Sequence, residues 1–245
     1  MGNNVERAAS LLPKVDDPPG VSAQVDRTIV AMTAPTSGAA EQFRTLYYRL
    51  ERMRDLRPLK VVALTSALAS EGKTVTAVNL ALTAARANPE KRILLIDADL
   101  RRSRVAECLG IRLKPGLSDL VAGECELREA VHRLNGTRLA VLAAGSDTQD
   151  ATYLLASGSM RQLIKNFRES FDEIYIDLPP TLPFADAPII GVQADGVLLV
   201  IRANITPSKA VSQALEHLGG TPVIGCVLNG AEVTSEPYFK SYLGP

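Results

Sequence analysis

Short runs of consecutive apolar residues alternate along the chain with longer segments in which apolar residues recur at helical spacing. An uninterrupted apolar run is typical of a parallel strand that is covered on both faces, and the helical spacing is typical of an amphipathic helix. Strands are predicted near residues 61, 93, 139, 173, 197 and 223. Their alternation with helices predicts an α/β fold with a doubly wound, mainly parallel sheet.

The same patterning divides the chain into three parts. Residues 1–37 are rich in Pro, Gly, Ser and Asp and predict a flexible N-terminal arm with one short docking stretch at Thr28–Met32. Residues 38–232 contain the alternating segments and predict a single domain, whose first helix extends over about Ala39–Met53. Residues 233–245 lack apolar periodicity and predict a mobile tail.

Composition narrows the range of functions. The 245 residues carry a formal net charge of zero, so there is no electrostatic reason to expect a nucleic-acid partner or an anionic membrane surface. No apolar run reaches the roughly 18 residues of a membrane span, and the N-terminus lacks a signal pattern, so we expect a cytoplasmic location. The three cysteines are far apart and only two histidines occur, which argues against a disulfide framework or a histidine-based metal site.

The segment 60–80, KVVALTSALASEGKTVTAVNL, combines a predicted strand, a turn and a predicted helix. The first N–H groups of a helix lack intrahelical partners and carry positive potential, so such a turn attracts phosphate. In a phosphate-binding loop, Gly72 would let the backbone approach the phosphate, Lys73 would reach its oxygens and Thr74 would bind magnesium. The first glycine of the pattern G-x-x-x-x-G-K-[ST] is replaced by Ala67, so an ordinary strand-to-helix turn is the alternative.

Acidic residues follow two of the predicted strands. Asp97 and Asp99 come at the end of the second strand, and Asp177 ends a later one. Because ligands bind at the carboxyl edge of a parallel sheet, these residues predict magnesium binding and proton transfer beside the phosphate-binding turn. Arg101 or Arg102 could add positive charge at a transferred phosphoryl group. The alternative is that the aspartates cap helices and face solvent.

Together these motifs resemble those of the bacterial tyrosine kinases (BY-kinases) of polysaccharide export. That family is a branch of the P-loop NTPases, which also include the septum- and chromosome-positioning ATPases. The similarity extends over residues 26–245 and is carried, in chain order, by EQFRTL, TSALASEGKT, LLIDADLRR, GLSDLVAG, IDLPP, FADA, DGVLLVIRANIT and IGCVLNG. The resemblance implies a P-loop kinase domain of the BY-kinase/positioning-ATPase type.

The resemblance also implies a site for ATP and Mg²⁺. Its implied catalytic residues are Lys73, Asp97, Asp99 and Asp177. Its implied metal ligands are Thr74, Asp97 and Asp177. Asn229 corresponds to the position at which the related ATPases hold adenine. The remaining nucleotide-binding residues that it implies are Ser70, Glu71, Gly72, Lys73, Thr74 and Val75.

Acceptors and partners are implied in the same way. In the family, tyrosines of a C-terminal tail are phosphorylated by the neighbouring subunit of a ring, so Tyr238 and Tyr242 are the expected acceptors. A membrane-anchored regulator of polysaccharide chain length activates the kinase, and this sequence resembles the split form whose activator is a separate polypeptide. We therefore expect an autokinase that regulates exopolysaccharide or capsule synthesis at the inner face of the membrane.

Several positions depart from the family pattern. Leu68 stands where the positioning ATPases carry a signature lysine, which argues against that branch. The helix motif E-x-x-R-x-x-R begins with Glu41 and Arg44 but has Tyr47 at its third place, which leaves assembly into a homo-oligomeric ring open. The tail carries two tyrosines where the family usually has a cluster. The alternative prediction is therefore a regulatory or assembly ATPase without kinase activity, and a third is a non-catalytic scaffold.

Overall fold

A seven-stranded sheet forms the centre of the computed structural model, which describes residues 25–134 and 136–231. The strands are β1 (Val61–Ser66), β2 (Ile93–Asp97), β3 (Val131–Arg133), β4 (Leu139–Leu142), β5 (Glu173–Asp177), β6 (Gly196–Arg202) and β7 (Val223–Asn229). Their order across the sheet is β3-β4-β2-β5-β1-β6-β7. β3 is antiparallel to β4, and every other neighbouring pair is parallel, which confirms the predicted mainly parallel sheet.

Helices pack on both faces of this sheet. They are α1 (Val30–Thr33), α2 (Gly38–Arg54), α3 (Lys73–Ala87), α4 (Val105–Leu109), α5 (Leu117–Ala122), α6 (Leu127–Ala130), α7 (Ala151–Ala156), α8 (Gly158–Ser170), α9 (Asp186–Gly191) and α10 (Ser208–His217). No helix in the described part of the chain combines the length and the apolar character that crossing a bilayer requires.

Alternate residues of the central strands pack against opposite helical layers. In β1, Val61 and Ala63 belong to one apolar cluster, and Val62 and Leu64 belong to the other. β1, β2 and β5 are buried along their whole lengths, so both faces of each strand are apolar and their sequences read as continuous apolar runs. The short edge strand β3 was not predicted, because its three residues contain no such run.

Part of the predicted N-terminal arm contacts the domain, whereas the flexibility of the arm as a whole stays a prediction. Asn79, fully buried within α3, accepts a hydrogen bond from the amide of Ala31 (2.9 Å) and donates one to the carbonyl of Thr28 (3.0 Å). The short docking stretch that was predicted here is thereby confirmed. Residues 1–24 and the tail with Tyr238 and Tyr242 lie outside the described residues.

A buried polar cluster joins α2 to the far end of α3 and to the start of β5. The hydroxyl of Tyr47 donates to Glu173 Oε1 (3.2 Å) and accepts from Asn88 Nδ2 (2.5 Å). The buried Glu173 also pairs with Arg54 (2.9 Å) and Lys91 (3.0 Å). Because Tyr47 is fully buried, the third place of the E-x-x-R-x-x-R motif serves internal packing in this chain.

We expect Tyr47→Phe to lower the free energy of unfolding by about 1–2 kcal/mol, because it leaves Asn88 and Glu173 without a shared buried partner. Urea denaturation measures the loss. Tyr48→Phe is the matched control, since the adjacent Tyr48 is 57% exposed, and its effect should stay within about 0.5 kcal/mol. Equal effects of the two substitutions would contradict the role assigned to the Tyr47 hydroxyl.

Candidate active site

The turn between β1 and α3 has a conformation that requires glycine at one position. Gly72 has φ +92° and directly precedes Lys73, the first residue of α3. A Cβ atom at this position would lie 1.9 Å from Nδ2 of Asn229, so both the backbone angle and the close approach exclude a side chain. Ala67 is buried and has no positive φ, so the turn forms without a glycine at the first place of the motif.

Two of the predicted nucleotide-binding residues, Glu71 and Asn229, form hydrogen bonds that hold this turn in place. The buried carboxylate of Glu71 accepts hydrogen bonds from the amide of Leu68 (2.9 Å) and from the hydroxyl of Thr206. The side-chain amide of Asn229 donates to the carbonyl of Glu71 (2.9 Å). These bonds fix the loop against β6 and β7. Direct contact of Glu71 or Asn229 with a nucleotide stays a prediction.

The Lys73 ammonium lies among carboxylates at the start of α3. Its Nζ atom is 2.6 Å from Asp99 Oδ2 and 3.8 Å from Asp177 Oδ1. The hydroxyl of Thr74 donates to the other oxygen of Asp177 (2.6 Å). Burial by itself would lower the pKa of Lys73, but Asp177 and Asp99 outweigh burial and raise that pKa. The structure thus brings four of the predicted site residues into one hydrogen-bonded group that contains a permanent positive charge.

Asp97 lies directly opposite Asp177 on the neighbouring strands β2 and β5. Burial and the charge of Asp177 raise the pKa of Asp97 to about 8. Burial raises the pKa of Asp177 to about 6, against the opposing effects of Lys73 and the Thr74 hydroxyl. The oxygens of Asp97 accept hydrogen bonds from the amides of Asp99 (3.2 Å) and Val105 (3.1 Å). The paired carboxyls therefore favour a bound proton or cation.

A cavity of about 620 Å³ opens beside these groups. The phosphate loop contributes five predicted residues to its wall, namely Ser70, Gly72, Lys73, Thr74 and Val75. The connections after β2 and β5 contribute Asp99, Arg101, Pro180, Pro183 and Phe184. Asp97 and Asp177 do not line the cavity; both are fully buried behind Asp99 and Lys73. Asp99 is therefore the carboxylate that a bound molecule would meet first.

The oxygen atoms of this site suit Mg²⁺. Oδ1 of the buried Asp177 has no hydrogen-bond partner, and the Thr74 hydroxyl and the Asp97 carboxylate beside it are hard oxygen donors. Among the described residues, no group of three or more His, Cys, Asp or Glu side chains is arranged to hold a metal ion by itself. A magnesium ion would therefore draw its other ligands from phosphate oxygens and water, as it commonly does.

Sequence reasoning missed an ion pair on the cavity wall. Arg101 donates from Nε and Nη2 to the two oxygens of Asp186, at 2.8 and 3.3 Å, and the hydroxyl of Thr152 donates to the same carboxylate at 2.5 Å. The guanidinium carbon of Arg101 lies 4.1 Å from the ring centroid of Phe184. Asp186 is 85 positions from Arg101, and although it lies within the FADA segment, nothing in the sequence pairs it with Arg101.

Comparison with known proteins shows the family to which this chain belongs. A model described as an AAA domain matches residues 59–220. The tyrosine-protein kinase YwqD of Bacillus subtilis is 34% identical over 221 residues, which cover 89% of this chain and 92% of YwqD. The succinoglycan biosynthesis transport protein ExoP of Rhizobium meliloti is 33% identical over 88% of this chain, which corresponds to 28% of ExoP.

A solved structure extends the comparison to three dimensions. The kinase domain of the Escherichia coli tyrosine kinase ETK superposes with a TM-score of 0.77 and is 28% identical in sequence. The match covers 84% of this chain and 82% of that domain. The sheet and the surrounding helices are thus shared with a tyrosine kinase domain over most of the length of both chains.

We expect Asp177→Asn to gain stability relative to the wild type as the pH rises from about 4 to 8. Asp97 and Asp177 have pKa values raised on folding, so the folded protein holds protons that the unfolded chain has released. Their contribution to stability is complete below the pKa of an unfolded aspartate and is lost as the pH rises through about 6 and about 8. The substitution removes the titrating carboxyl of Asp177 and also removes the negative charge that raises the pKa of Asp97.

Urea unfolding in the presence of EDTA, at several pH values, measures this difference. The gap between variant and wild type should change by roughly 1 kcal/mol per pH unit. Asp147→Asn, at an exposed aspartate, is the matched control. A gap that stays constant for Asp177→Asn would mean that the two buried carboxyls do not share protons.

Proposed function

We propose that this chain, which belongs to the family of bacterial tyrosine-protein kinases, transfers the γ-phosphoryl group of ATP to tyrosine side chains and so regulates polysaccharide synthesis and export. One observation supports this most directly: a helix N-terminus, the ammonium of Lys73, the hydroxyl of Thr74 and the carboxylate of Asp99 line a single cavity. Phosphoryl transfer needs positioning and charge neutralisation more than covalent chemistry by the protein. These groups provide both.

The phosphates of ATP would lie against the N-terminus of α3, where the backbone amides and the helix dipole favour negative charge. Lys73 adds a full positive charge at the same place. Thr74, Asp97 and Asp177 would hold magnesium, which supplies further positive charge to the phosphate oxygens when it is bound. The nucleotide base would extend toward Asn229, on the side of the loop next to β7.

The acceptor tyrosine would attack through its phenol oxygen. A bond forms between that oxygen and the γ-phosphorus, the bond from the γ-phosphorus to the β–γ bridging oxygen breaks, and ADP leaves with the electron pair. The phenol proton passes to a carboxylate oxygen of Asp99, which lines the cavity. Asp97, besides being a proposed metal ligand, accepts the amide hydrogen of Asp99 and so holds this loop in place.

The proposed acceptors are Tyr238 and Tyr242, phosphorylated by a neighbouring subunit. Glu41 and Arg44 are partly exposed on α2 and pair with each other, so they are the members of the helix motif that a second subunit could contact. A membrane-anchored regulator of polysaccharide chain length is the proposed activator, which would hold the chain at the inner face of the membrane. The relative ExoP is named a succinoglycan biosynthesis transport protein, which supports a role in polysaccharide transport but does not identify the activator.

We expect Lys73→Met to abolish phosphotyrosine formation and to weaken ATP affinity by at least about 100-fold, because it removes the buried charge at the phosphate site. Purified protein is incubated with ATP and magnesium and then blotted for phosphotyrosine, and ATP affinity is measured by calorimetry. Lys165→Met, at an exposed lysine of α8, is the matched control. Circular dichroism verifies that both variants are folded.

The same assay separates the kinase from a regulatory or assembly ATPase of this fold. ATP turnover without phosphotyrosine in the wild type would favour the ATPase. A Tyr238→Phe/Tyr242→Phe double variant should lose most of the autophosphorylation signal. If that signal persists at the wild-type level, the acceptors lie elsewhere in the chain.

Asp99→Asn should lower the rate of phosphoryl transfer by roughly 100-fold or more, while ATP affinity changes far less, since a proton acceptor acts mainly in the transition state. Asp97→Asn should likewise reduce transfer more than it reduces binding. Single-turnover rates and equilibrium titrations with ATP provide the two quantities. Equal losses in rate and affinity for Asp99→Asn would make it a binding residue only.

A further inference from the structure

The guanidinium of Arg101 is held in one orientation on the cavity wall. Asp186 binds it through both carboxylate oxygens, Thr152 bonds to the same carboxylate, and its central carbon lies 4.1 Å from the ring centroid of Phe184. Asp186 is 1% exposed, whereas the Arg101 side chain is 30% exposed and lines the cavity. The buried partners therefore fix a planar group whose remaining accessible surface borders the space beside the phosphate loop.

The charge of this group suits a neutral ligand better than a phosphate. The positive charge of Arg101 is matched by the buried carboxylate of Asp186, so the pair is formally neutral. Pro180, Pro183 and Phe184 add apolar surface to the cavity wall, which also includes Arg102 and Arg104. A fixed guanidinium plane beside apolar side chains is a surface on which an aromatic ring stacks well.

The position of Arg101 points to the acceptor rather than to the nucleotide base. In the sheet order, β2 lies on one side of β1, and β7 lies on the other. Arg101 follows β2, whereas Asn229, which contacts the back of the phosphate loop, ends β7. Arg101 is also on the same loop as Asp99, and its amide donates to the Asp99 carboxylate (3.3 Å). A ring on Arg101 would thus lie close to the proposed proton acceptor.

We propose that Arg101, held against Phe184 by Asp186 and Thr152, is the binding surface on which the aromatic ring of the acceptor tyrosine stacks. This inference rests on the proposed kinase function and specifies how the acceptor is selected. Arg101 touches the substrate, whereas Asp186, Thr152 and Phe184 are positioning residues that act through Arg101. The arrangement favours tyrosine over serine and threonine, because only tyrosine has a ring to stack.

The first test measures acceptor and nucleotide binding separately. A synthetic peptide of residues 232–245 serves as the acceptor, with full-length protein, ATP and magnesium. Arg101→Lys keeps the positive charge but removes the plane, so KM for the peptide should rise about tenfold, whereas Kd for ATP should change less than about twofold. Arg138→Lys, at an exposed arginine remote from the cavity, is the matched control and should change neither value.

The second test isolates the ring from the reacting hydroxyl. One peptide has phenylalanine at both tyrosine positions and another has alanine at both, and each is used as an inhibitor competing with the tyrosine peptide. The wild type should bind the phenylalanine peptide about tenfold more tightly than the alanine peptide, and Arg101→Lys should bring that ratio close to one. Asp186→Asn and Thr152→Val should lower the ratio as well, which a purely structural effect on folding would not do.

The outcomes distinguish failure of this inference from failure of the proposed function. If the wild type phosphorylates the peptide and Arg101→Lys leaves the phenylalanine-to-alanine ratio unchanged, the stacking surface is wrong and the kinase assignment stands. If Arg101→Lys weakens ATP binding instead, Arg101 is a nucleotide ligand and the inference is overturned. If the wild type turns over ATP but phosphorylates no tyrosine, the proposed function fails and the inference fails with it.

Discussion

Buried negative charge at the carboxyl edge of β2 and β5 is the constraint on which the rest of the site depends. Asp97, Asp99 and Asp177 surround one ammonium group, that of Lys73. Unpaired charges are costly inside a protein, so the excess must be neutralised by bound protons or by a cation. Burial raises the pKa values of both Asp97 and Asp177, and the charge of Asp177 raises that of Asp97 further, so these carboxyls retain protons more readily than exposed ones. The same charge that weakens the folded protein at neutral pH gives the site its attraction for a cation.

Two of the three elements that carry the cluster, α3 and β5, are joined at their far ends by the hydroxyl group of Tyr47. α3 begins with Lys73 and is followed by Asn88, and β5 extends from Glu173 to Asp177. Tyr47 bonds both Asn88 and Glu173, so it sets the spacing of α3 and β5 at the end opposite the cavity. A helix and a strand held at both ends present the side chains of Lys73 and Asp177 in one arrangement, which is what a preorganised site needs. The motif E-x-x-R-x-x-R has an arginine at the position of Tyr47, and an arginine could not accept the hydrogen bond that Asn88 donates to the Tyr47 hydroxyl.

Local sequence patterns predicted the parallel strands and the carboxyl-edge position of Asp97 and Asp177, because burial on both faces and the direction of a strand both leave a local signature. They did not predict that Asn79 holds the arm or that Tyr47 reaches Glu173. Those contacts join residues 48 or more positions apart, and periodicity shows which face of an element is buried but not what covers it. The pairing of Arg101 with Asp186, 85 positions away, was not predicted for the same reason.

The two ion pairs in the cavity wall, Lys73–Asp99 and Arg101–Asp186, have different physical properties. Lys73 pairs with Asp99 through an ammonium group at the end of a flexible aliphatic chain. Such a group can exchange one oxygen partner for another while it stays charged. Arg101 is held by two hydrogen bonds to Asp186 and by the ring of Phe184, so its plane cannot turn without breaking several contacts at once. A movable charge suits phosphate oxygens whose positions change during transfer, and a fixed plane suits a ring that must stay still while its oxygen reacts. The cavity wall therefore combines a movable positive charge, that of Lys73, with a fixed planar one, that of Arg101.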